Sequence, residues 1–299
     1  MVWVEIVLGG LLLGGLYALL SVGLNLQYGL MRVLNVAHGE FVVLGGYVTY
    51  TLVVGWKVNP LATLAVTGPG LFLVGLAVHR VLFRGLVRLR RTREELEANS
   101  MLLCFGLLFV LQNAMLLLWR ADIRGYTYWD HPWTLAGVAM PANRVVAFAA
   151  AVGLTGGLFA ALRYTLVGTA LRALMQDAVG ARVVGIPVQK AHALCFALGV
   201  ALAGVTGSLL SMLYPLTPFA GFPYTVTGLV VVILGGLGSL VGSLIGGLLL
   251  GVVEAVGVYL TSPDLRLALS YGVLVTTLVV RPYGLVNAAA RRPGQQPWV

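Results

Sequence analysis

The chain has 299 residues, of which 59% are hydrophobic and 10% are charged, and its formal net charge at pH 7 is +9. This composition excludes a soluble globular protein, because no soluble domain could bury so much apolar surface. The basic residues lie in short runs between apolar segments. Such placement favours a role in membrane orientation and argues against nucleic acid as a partner.

The first apolar run, residues 2–30, is long enough to cross a hydrocarbon core of about 30 Å. It lacks a basic n-region and is longer than a signal-peptide core, so we interpret it as a span of the mature protein. Asn35, His38 and Glu40 follow it, directly before a second apolar run. One interpretation is that His38 and Glu40 cap the second helix at the membrane interface, where the helix dipole favours an acidic side chain.

The next segments alternate between apolar and polar. The densest charge run, 84–99, is expected to form a solvated helical hairpin. Residues 120–144 are rich in Trp and Tyr, which is typical of a membrane–water interface. Gln112 and Asn113 are predicted to form hydrogen bonds between helices. Further apolar runs predict spans at 60–82, 101–119, 145–162, 191–213 and 267–280.

The longest polar interruption with a helical pattern is 163–190. Thr169 is a plausible N-cap, Arg172 and Gln176 share one face, and Gly185 ends the helix. A short amphipathic helix between spans can be a passive connector, an interfacial helix on lipid or a docking surface for another protein. The opposite, apolar face has the helical spacing of Leu171, Leu174, Met175 and Ala178.

Basic residues predict the orientation of the chain. The loops 84–99, 163–190 and 281–292 hold 12 of the 19 Lys and Arg residues, which places these loops in the cytoplasm by the positive-inside rule. Residues 120–144 then form a periplasmic loop. We expect residues 1–299 to form a single transmembrane domain.

The last third contains an apolar run, 230–260, that is too long for one span. Gly235, Gly236 and Gly238 interrupt it. We therefore predict an all-α polytopic membrane protein with about eight transmembrane helices, one of them discontinuous, or nine crossings if both halves cross. Transporters often bind solute at such glycine-broken helices, and leucine at Gly236 or Gly238 is expected to crowd the unwound backbone. The alternative is close helix packing through Gly242, Gly246 and Gly251.

Glu254 lies deep in the same apolar run. A charged side chain facing lipid at mid-depth would cost about 2.5–3.5 kcal/mol, so Glu254 is expected to face the bundle interior or water. There it is either a structural group that is hydrogen-bonded between helices or a pathway or gating residue.

The sequence shows no pattern for a catalytic, metal or nucleotide site. Cys104 and Cys195 lie in apolar runs and are interpreted as packing residues, with no disulfide and no metal. Lys57 and Lys190 do not occur in a phosphate-binding loop pattern, so any ATP is expected on another chain. His38 and Glu40 are spaced i, i+2, which places them on different helical faces. We expect no enzyme activity and no bound cofactor.

The segment RVLNVAHGEFVVLGGY resembles the Asn-Phe-Ala-His-Gly-Glu stretch in the permease subunits of bacterial branched-chain amino acid ABC transporters, with Val36 in place of Phe. The resemblance continues at Leu111–Asn113, at Gly185–Ile186 and in the segments 196–209, 233–254 and 281–285. It implies a helical bundle in the cell inner membrane that transports hydrophobic amino acids. The implied partners are a second, related permease, two cytoplasmic ATPase subunits that bind ATP, and a periplasmic or extracellular solute-binding protein.

The resemblance also implies roles for particular residues. The Glu-Ala-Ala sequence of the family's coupling loop is replaced by Val179, Gly180 and Ala181, although small residues still offer a surface that fits a groove. The implied ATPase-docking residues are Arg172, Gln176, Asp177, Val179, Gly180, Ala181 and Gly185. The implied pathway or gating residues are Asn35, His38, Glu40, Gly235, Gly236, Gly238 and Glu254.

Other functions remain open from the sequence. Within transport, a permease for urea, short-chain amides or sugars is the alternative. A channel or membrane scaffold without coupling to ATP belongs to a different class. The amphipathic segment 163–190 favours a coupled transporter, because a channel has no need of a docking helix.

Overall fold

A computed structural model describes residues 2–85, 93–135, 137–281 and 283–286. The described chain is almost entirely helical, with one small hairpin of two antiparallel strands. Its elements are α1 Val2–Met31, α2 His38–Trp56, α3 Pro60–Val78 with a π-helical turn His79–Phe83, α4 Arg93–Trp119, β1 Pro132–Leu135, β2 Val138–Pro141, α5 Ala142–Tyr164, α6 Leu166–Gln176, α7 Ala178–Val183, α8 Val188–Leu210, α9 Gly221–Gly235, α10 Leu240–Leu260 and α11 Arg266–Val280.

Among the described residues, eight helices are long and apolar enough to cross a membrane. They are α1, α3 with its π-helical turn, α4, α5, α8, α9, α10 and α11. The predicted all-α polytopic fold is therefore confirmed. Helix α2 is 19 residues long but is not one of these eight, and it begins with His38 and Glu40 buried inside the bundle.

The connecting segments define two faces of the bundle. The loop face carries α6 and α7, and the hairpin face carries the β1–β2 hairpin. Helix α1 begins at the hairpin face, where Val2 and Arg144 line one cavity. It ends at the loop face, where Gly29 and Arg172 line another.

Helices α1 and α10 pack antiparallel through small residues. Gly10 lies against Gly251, and Gly14 lies against Gly247. Glycine at these positions lets the two backbones approach each other closely, because no Cβ atom intervenes. Gly251 is one of the glycines for which the sequence analysis gave close helix packing as the alternative, and the structure agrees with that alternative.

The chain between α1 and α2 turns back into the bundle. Arg32 has a left-handed backbone, and residues 32–37 then return along α1 without helical structure. The ring nitrogen Nε2 of His38 reaches the carbonyl oxygen of Leu20 at 3.2 Å, and Leu20 lies about 16 Å from the end of α1 at 1.5 Å per residue. The interpretation in which His38 and Glu40 cap α2 at the membrane interface does not agree with this position, since both side chains are buried where α2 begins.

The long apolar run near the C-terminus forms two helices. Helix α9 ends at Gly235, residues 236–239 turn, and α10 returns antiparallel toward the hairpin face. The turn lies at the loop face, because Gly238 lines the same groove as Gly29 and Arg172. The two halves of the predicted discontinuous helix thus form two separate helices, as in the alternative in which both halves cross the membrane.

Several local predictions need correction. Residues 93–99 continue directly into the fourth span instead of forming a hairpin, while 86–92 of that predicted loop lie outside the described residues. Residues 142–144 belong to α5 instead of the preceding loop. Asn113 donates to the carbonyl of Phe109 in its own helix, at 2.8 Å, and not to another helix. The packing role of both cysteines is confirmed, since Cys104 and Cys195 are free and buried.

The loop at the hairpin face is fixed by side-chain contacts. The hydroxyl of Tyr126 lies 2.9 Å from that of Ser211, and burial raises the pKa of Tyr126 to about 12. Tyr126 thus stays neutral and holds the loop on the bundle. Arg124 pairs with Leu216 through two backbone hydrogen bonds, which joins the loop to the chain that enters α9.

Candidate transport pathway and docking surface

The predicted pathway residues lie at three depths along α1. Glu254 lies beside Tyr17, His38 lies beside Leu20, and the 236–239 turn lies beside Asn25. Tyr17 and Asn25 are about 12 Å apart at the helical rise of 1.5 Å per residue. The structure thus does not gather these residues into one site, but it places all three groups against one helix.

Glu254 is buried near the hairpin face. Its carboxylate accepts hydrogen bonds from the hydroxyl of Tyr17, at 2.7 Å, and from the hydroxyl of Ser270. The side chain faces the bundle interior, as the cost of exposing a charge to lipid predicts. A hydrogen-bonded carboxylate at this depth joins α1, α10 and α11.

Glu254 also lines a cavity of about 370 Å³. Apolar side chains such as Leu13 form much of its wall, while Glu5, Arg144 and Arg266 bring both signs of charge to it. An amino acid has an ammonium group, a carboxylate and a side chain. The cavity therefore offers groups of suitable chemistry to each part of a zwitterionic, hydrophobic amino acid.

The middle group surrounds the buried start of α2. The amide N–H of Gly39 donates to the hydroxyl of Thr225 at 2.8 Å, and that hydroxyl donates to the carbonyl of Val36 at 2.9 Å. Asn35 donates to the side-chain oxygen of Gln27 at 3.1 Å. The bond to Val36 satisfies a carbonyl of the non-helical segment 32–37, and the bond from Gly39 satisfies an N–H in the first turn of α2.

Glu40 is fully buried, and neither of its carboxylate oxygens has a hydrogen-bond partner among the described residues. The carboxylate lies directly against Gly221, the first residue of α9, where a side chain would collide with it. The N-terminal end of a helix carries partial positive charge, which favours an acidic group at this position. Glu40 thus joins the start of α2 to the start of α9.

Asn25 is the residue that organises the glycine turn, and the sequence analysis missed it. The two hydrogens of its amide nitrogen are shared among three acceptors, the carbonyls of Gly236 and Ser239 at 3.2 and 2.9 Å and the hydroxyl of Ser243 at 2.8 Å. Its amide oxygen accepts from the N–H of Gly238 at 2.6 Å. The available signal was a pair of amides, Asn25 and Gln27, within the first apolar run.

The glycines of this turn act through backbone conformation. Gly236 and Gly238 have φ of 105° and 83°, values that L-residues other than glycine rarely adopt. At Gly238 an added Cβ meets no atom closer than 3.9 Å, so the strain of a substitution there begins with the backbone conformation. Close approach matters instead at Gly235, which packs against Gly242.

The predicted docking segment forms two helices instead of one. Thr165, and not Thr169, caps α6 by accepting a hydrogen bond from the N–H of Gly168 at 3.0 Å. Asp177 interrupts the helix and caps α7 by accepting from the N–H of Val179 at 2.9 Å. The competing bond of the aspartate to the backbone accounts for the break.

The break changes which docking residues are accessible. Arg172, Gln176, Val179 and Gly185 are exposed, as is Asp177. Ala181 is buried, so it supports α7 from beneath and does not form part of the surface. Ala178, which the spacing placed on the apolar face, is exposed. The surface of α6 and α7 at the loop face is called the docking surface below.

The docking surface lies next to the glycine turn. Arg172 and Gln176 line a groove of about 280 Å³ together with Leu237 and Gly238. Met175 extends toward Gly29, whose α-carbon lies close to Gly238. A displacement of α6 would therefore act directly on the turn that Asn25 holds.

A membrane-embedded bundle with a broken helix pair and an exposed amphipathic loop defines a polytopic transport permease. The family described as "Branched-chain amino acid transport system / permease component" matches residues 6–278. The chain belongs to this family, and it is a multi-pass protein of the inner membrane.

Individual relatives are similar in sequence to this chain along nearly its whole length. The high-affinity branched-chain amino acid transport system permease protein LivH of Salmonella typhimurium is 28% identical over 93% of each chain. The permease protein BraD of Pseudomonas aeruginosa, of the same description, is 27% identical over 95% of this chain and 96% of its own. A probable branched-chain amino acid transport permease protein LivH of Methanocaldococcus jannaschii is 28% identical over 93% and 91%. No solved structure matches the chain.

Proposed function

We propose that the chain is a transmembrane permease subunit of an ABC importer for branched-chain amino acids. The observation that carries the proposal is the family match over residues 6–278. The cavity beside Glu254, with both charge signs and apolar walls, supports a zwitterionic substrate with an aliphatic side chain.

The proposed assembly contains a second, related permease, two ATPase subunits and an external solute-binding protein. The loop face is cytoplasmic in this proposal, because it carries basic loops. ATP binds only to the ATPase subunits, and this chain holds no cofactor. Its contribution is to form part of the pathway and to transmit the movement of the ATPases.

Transmission follows from the contacts between the docking surface and α1. An ATPase that moves α6 displaces Met175 and the 236–239 turn, since both meet at Gly29. The turn is bonded to Asn25, and α1 continues from there to Tyr17 and Glu254. A rigid helix that touches all three groups is a physical route for coupling.

Uptake by the reconstituted complex tests the substrate. Proteoliposomes containing the complete complex and its binding protein should accumulate leucine, isoleucine and valine when ATP is present on the cytoplasmic side. Urea and sugars should not compete with leucine. Accumulation of urea or a sugar in place of leucine would contradict the proposal.

Crosslinking tests the docking surface. Cysteine at Arg172 or Gln176 should form a crosslink to an ATPase subunit in the assembled complex, because both side chains are exposed on α6. Cysteine at Ala181 serves as the matched control, since it is buried and should react poorly. Labelling of Arg172→Cys only from outside the cell would reverse the proposed orientation.

A charge-neutral replacement tests Glu254. Glu254→Gln keeps the size of the side chain and its hydrogen-bonding capacity, because the amide oxygen can accept from one hydroxyl while the amide nitrogen donates to the other, but it removes the charge. We expect normal assembly, with leucine uptake and its coupling to ATP hydrolysis reduced about tenfold, as for one charge-assisted hydrogen bond of roughly 1.5 kcal/mol. Uptake and ATP hydrolysis are measured together. Unchanged uptake at equal assembly would leave Glu254 a purely structural group.

A further inference from the structure

A second cavity, of about 430 Å³, opens at the loop face between α3 and α8. None of its lining residues belongs to the docking surface or to the three groups along α1. Arg80 lies in the π-helical turn at the end of α3, and Arg84 directly follows that turn. Lys190 lies in the first turn of α8. None of the described residues that line it is acidic. The charge of this cavity, called the basic cavity below, favours an anion.

The floor of the basic cavity carries a buried polar group without a partner. His79 is 5% exposed, and its Nε2 has no hydrogen-bond partner among the described residues. Stacking fixes its ring, since the ring centroids of Phe83 and Phe196 lie 6.3 and 6.1 Å away. A buried polar atom is costly unless it is hydrogen-bonded, so a ligand oxygen at this position would be stabilised.

The backbone at this point is also unusual. His79–Phe83 is a single π-helical turn at the end of α3. Single π-helical turns are rare and occur frequently at functional sites. Within this turn His79 is buried while Arg80 is exposed, so adjacent residues supply the floor and the rim of the cavity.

The position of the cavity identifies the source of the anion. It lies where two predicted spans, 60–83 and 188–210, reach the loop face. Leu76 and Ala193 give it an apolar wall, and neighbouring Val81 is 77% exposed. An apolar wall does not stabilise a free phosphate, whereas it can pack against the acyl chains of a phospholipid.

We infer that the basic cavity binds the phosphate group of an anionic phospholipid, with Arg80, Arg84 and Lys190 around the phosphate and His79 beneath it. Basic pockets between helices at this depth recognise phospholipid headgroups in other membrane proteins. The guanidinium groups match the geometry of phosphate oxygens. Bound lipid would fix the relative position of α3 and α8 at the loop face.

Lipid retention tests this inference in the complete complex. Complex purified from membranes that contain phosphatidylglycerol and phosphatidylethanolamine should retain phosphatidylglycerol preferentially, as measured by native mass spectrometry. Arg80→Gln and Lys190→Gln should each reduce that retention about fivefold, the effect of one cation near an anionic headgroup. His79→Phe, which keeps an aromatic ring but removes Nε2, should also reduce it.

The matched control is Arg281→Gln, which removes the same charge from an exposed position at the loop face outside the cavity. It should leave retention unchanged. Equal losses in Arg281→Gln and Arg80→Gln would overturn the inference, because general surface charge would then explain them. Displacement of the lipid by inorganic phosphate at millimolar concentration would also overturn the inference. Loss of an ATPase subunit from the Lys190→Gln complex, with lipid retention intact, would overturn it as well.

Discussion

An Asn25→Leu variant should lose nearly all leucine uptake and assemble poorly. Leucine has a similar size, but it leaves the N–H of Gly238 without its partner. It also removes the amide bonds to the carbonyls of Gly236 and Ser239, which keep only the backbone N–H groups of Ser239 and Ser243. The unpaired N–H costs about 1–3 kcal/mol, and the turn loses the side-chain bonds that hold it against α1. Assembly is measured by size-exclusion chromatography, and uptake is measured per assembled complex.

Asn113→Leu is the control for the same exchange. Asn113 is exposed on α4 and bonds only to a carbonyl of its own helix. That carbonyl keeps its helical position after the exchange, so assembly and uptake should equal those of the wild type. Full uptake by Asn25→Leu would show that the turn keeps its conformation without the amide. The proposed coupling route along α1 would then fail.

Hydropathy and glycine content predicted the helices well, because a membrane span must be long, apolar and internally hydrogen-bonded. The depth of polar residues within the bundle was harder to predict. The polar cluster Asn35 to Glu40 has the composition of an interfacial loop, yet it lies inside the bundle. Only tertiary contacts, such as the one from His38 to the carbonyl of Leu20, determine that position.

In the candidate site too, some positions were predictable from the sequence and others depended on tertiary contacts. Glu254 was predicted to face the interior because charge exposed to lipid is costly, and this argument needs no knowledge of its partners. Asn25 was missed because a single amide barely changes the hydropathy of a long apolar run. Its importance comes from a turn 211 residues away in the sequence, at Gly236.

The docking surface was misjudged for a local reason. The apolar spacing from Leu171 to Ala178 is compatible with one helix, and periodicity alone does not detect a cap within it. Asp177 forms such a cap, and α7 changes direction there. Ala181 consequently turns inward, whereas Val179 becomes exposed.

Gly207→Ala should prevent folding of the bundle almost completely. A Cβ at Gly207 in α8 would collide with the carbonyl oxygen of Val42 in α2. Gly45 and Gly204 meet in the same contact, where a Cβ on Gly45 would collide with the carbonyl oxygen of Gly204. The obstacle is backbone, which cannot move aside as a side chain does, so α2 and α8 would have to separate.

The loss of stability should exceed about 3 kcal/mol, the upper end of ordinary overpacking. The yield of monodisperse protein and the unfolding midpoint in detergent measure it. Gly153→Ala in α5 is the control, because a Cβ there meets no atom within 4 Å. Alanine is preferred to glycine within a helix by about 0.5–1 kcal/mol, so this control should be as stable as the wild type or slightly more stable. A folded Gly207→Ala protein with wild-type stability would mean that α2 and α8 are farther apart than their glycines indicate.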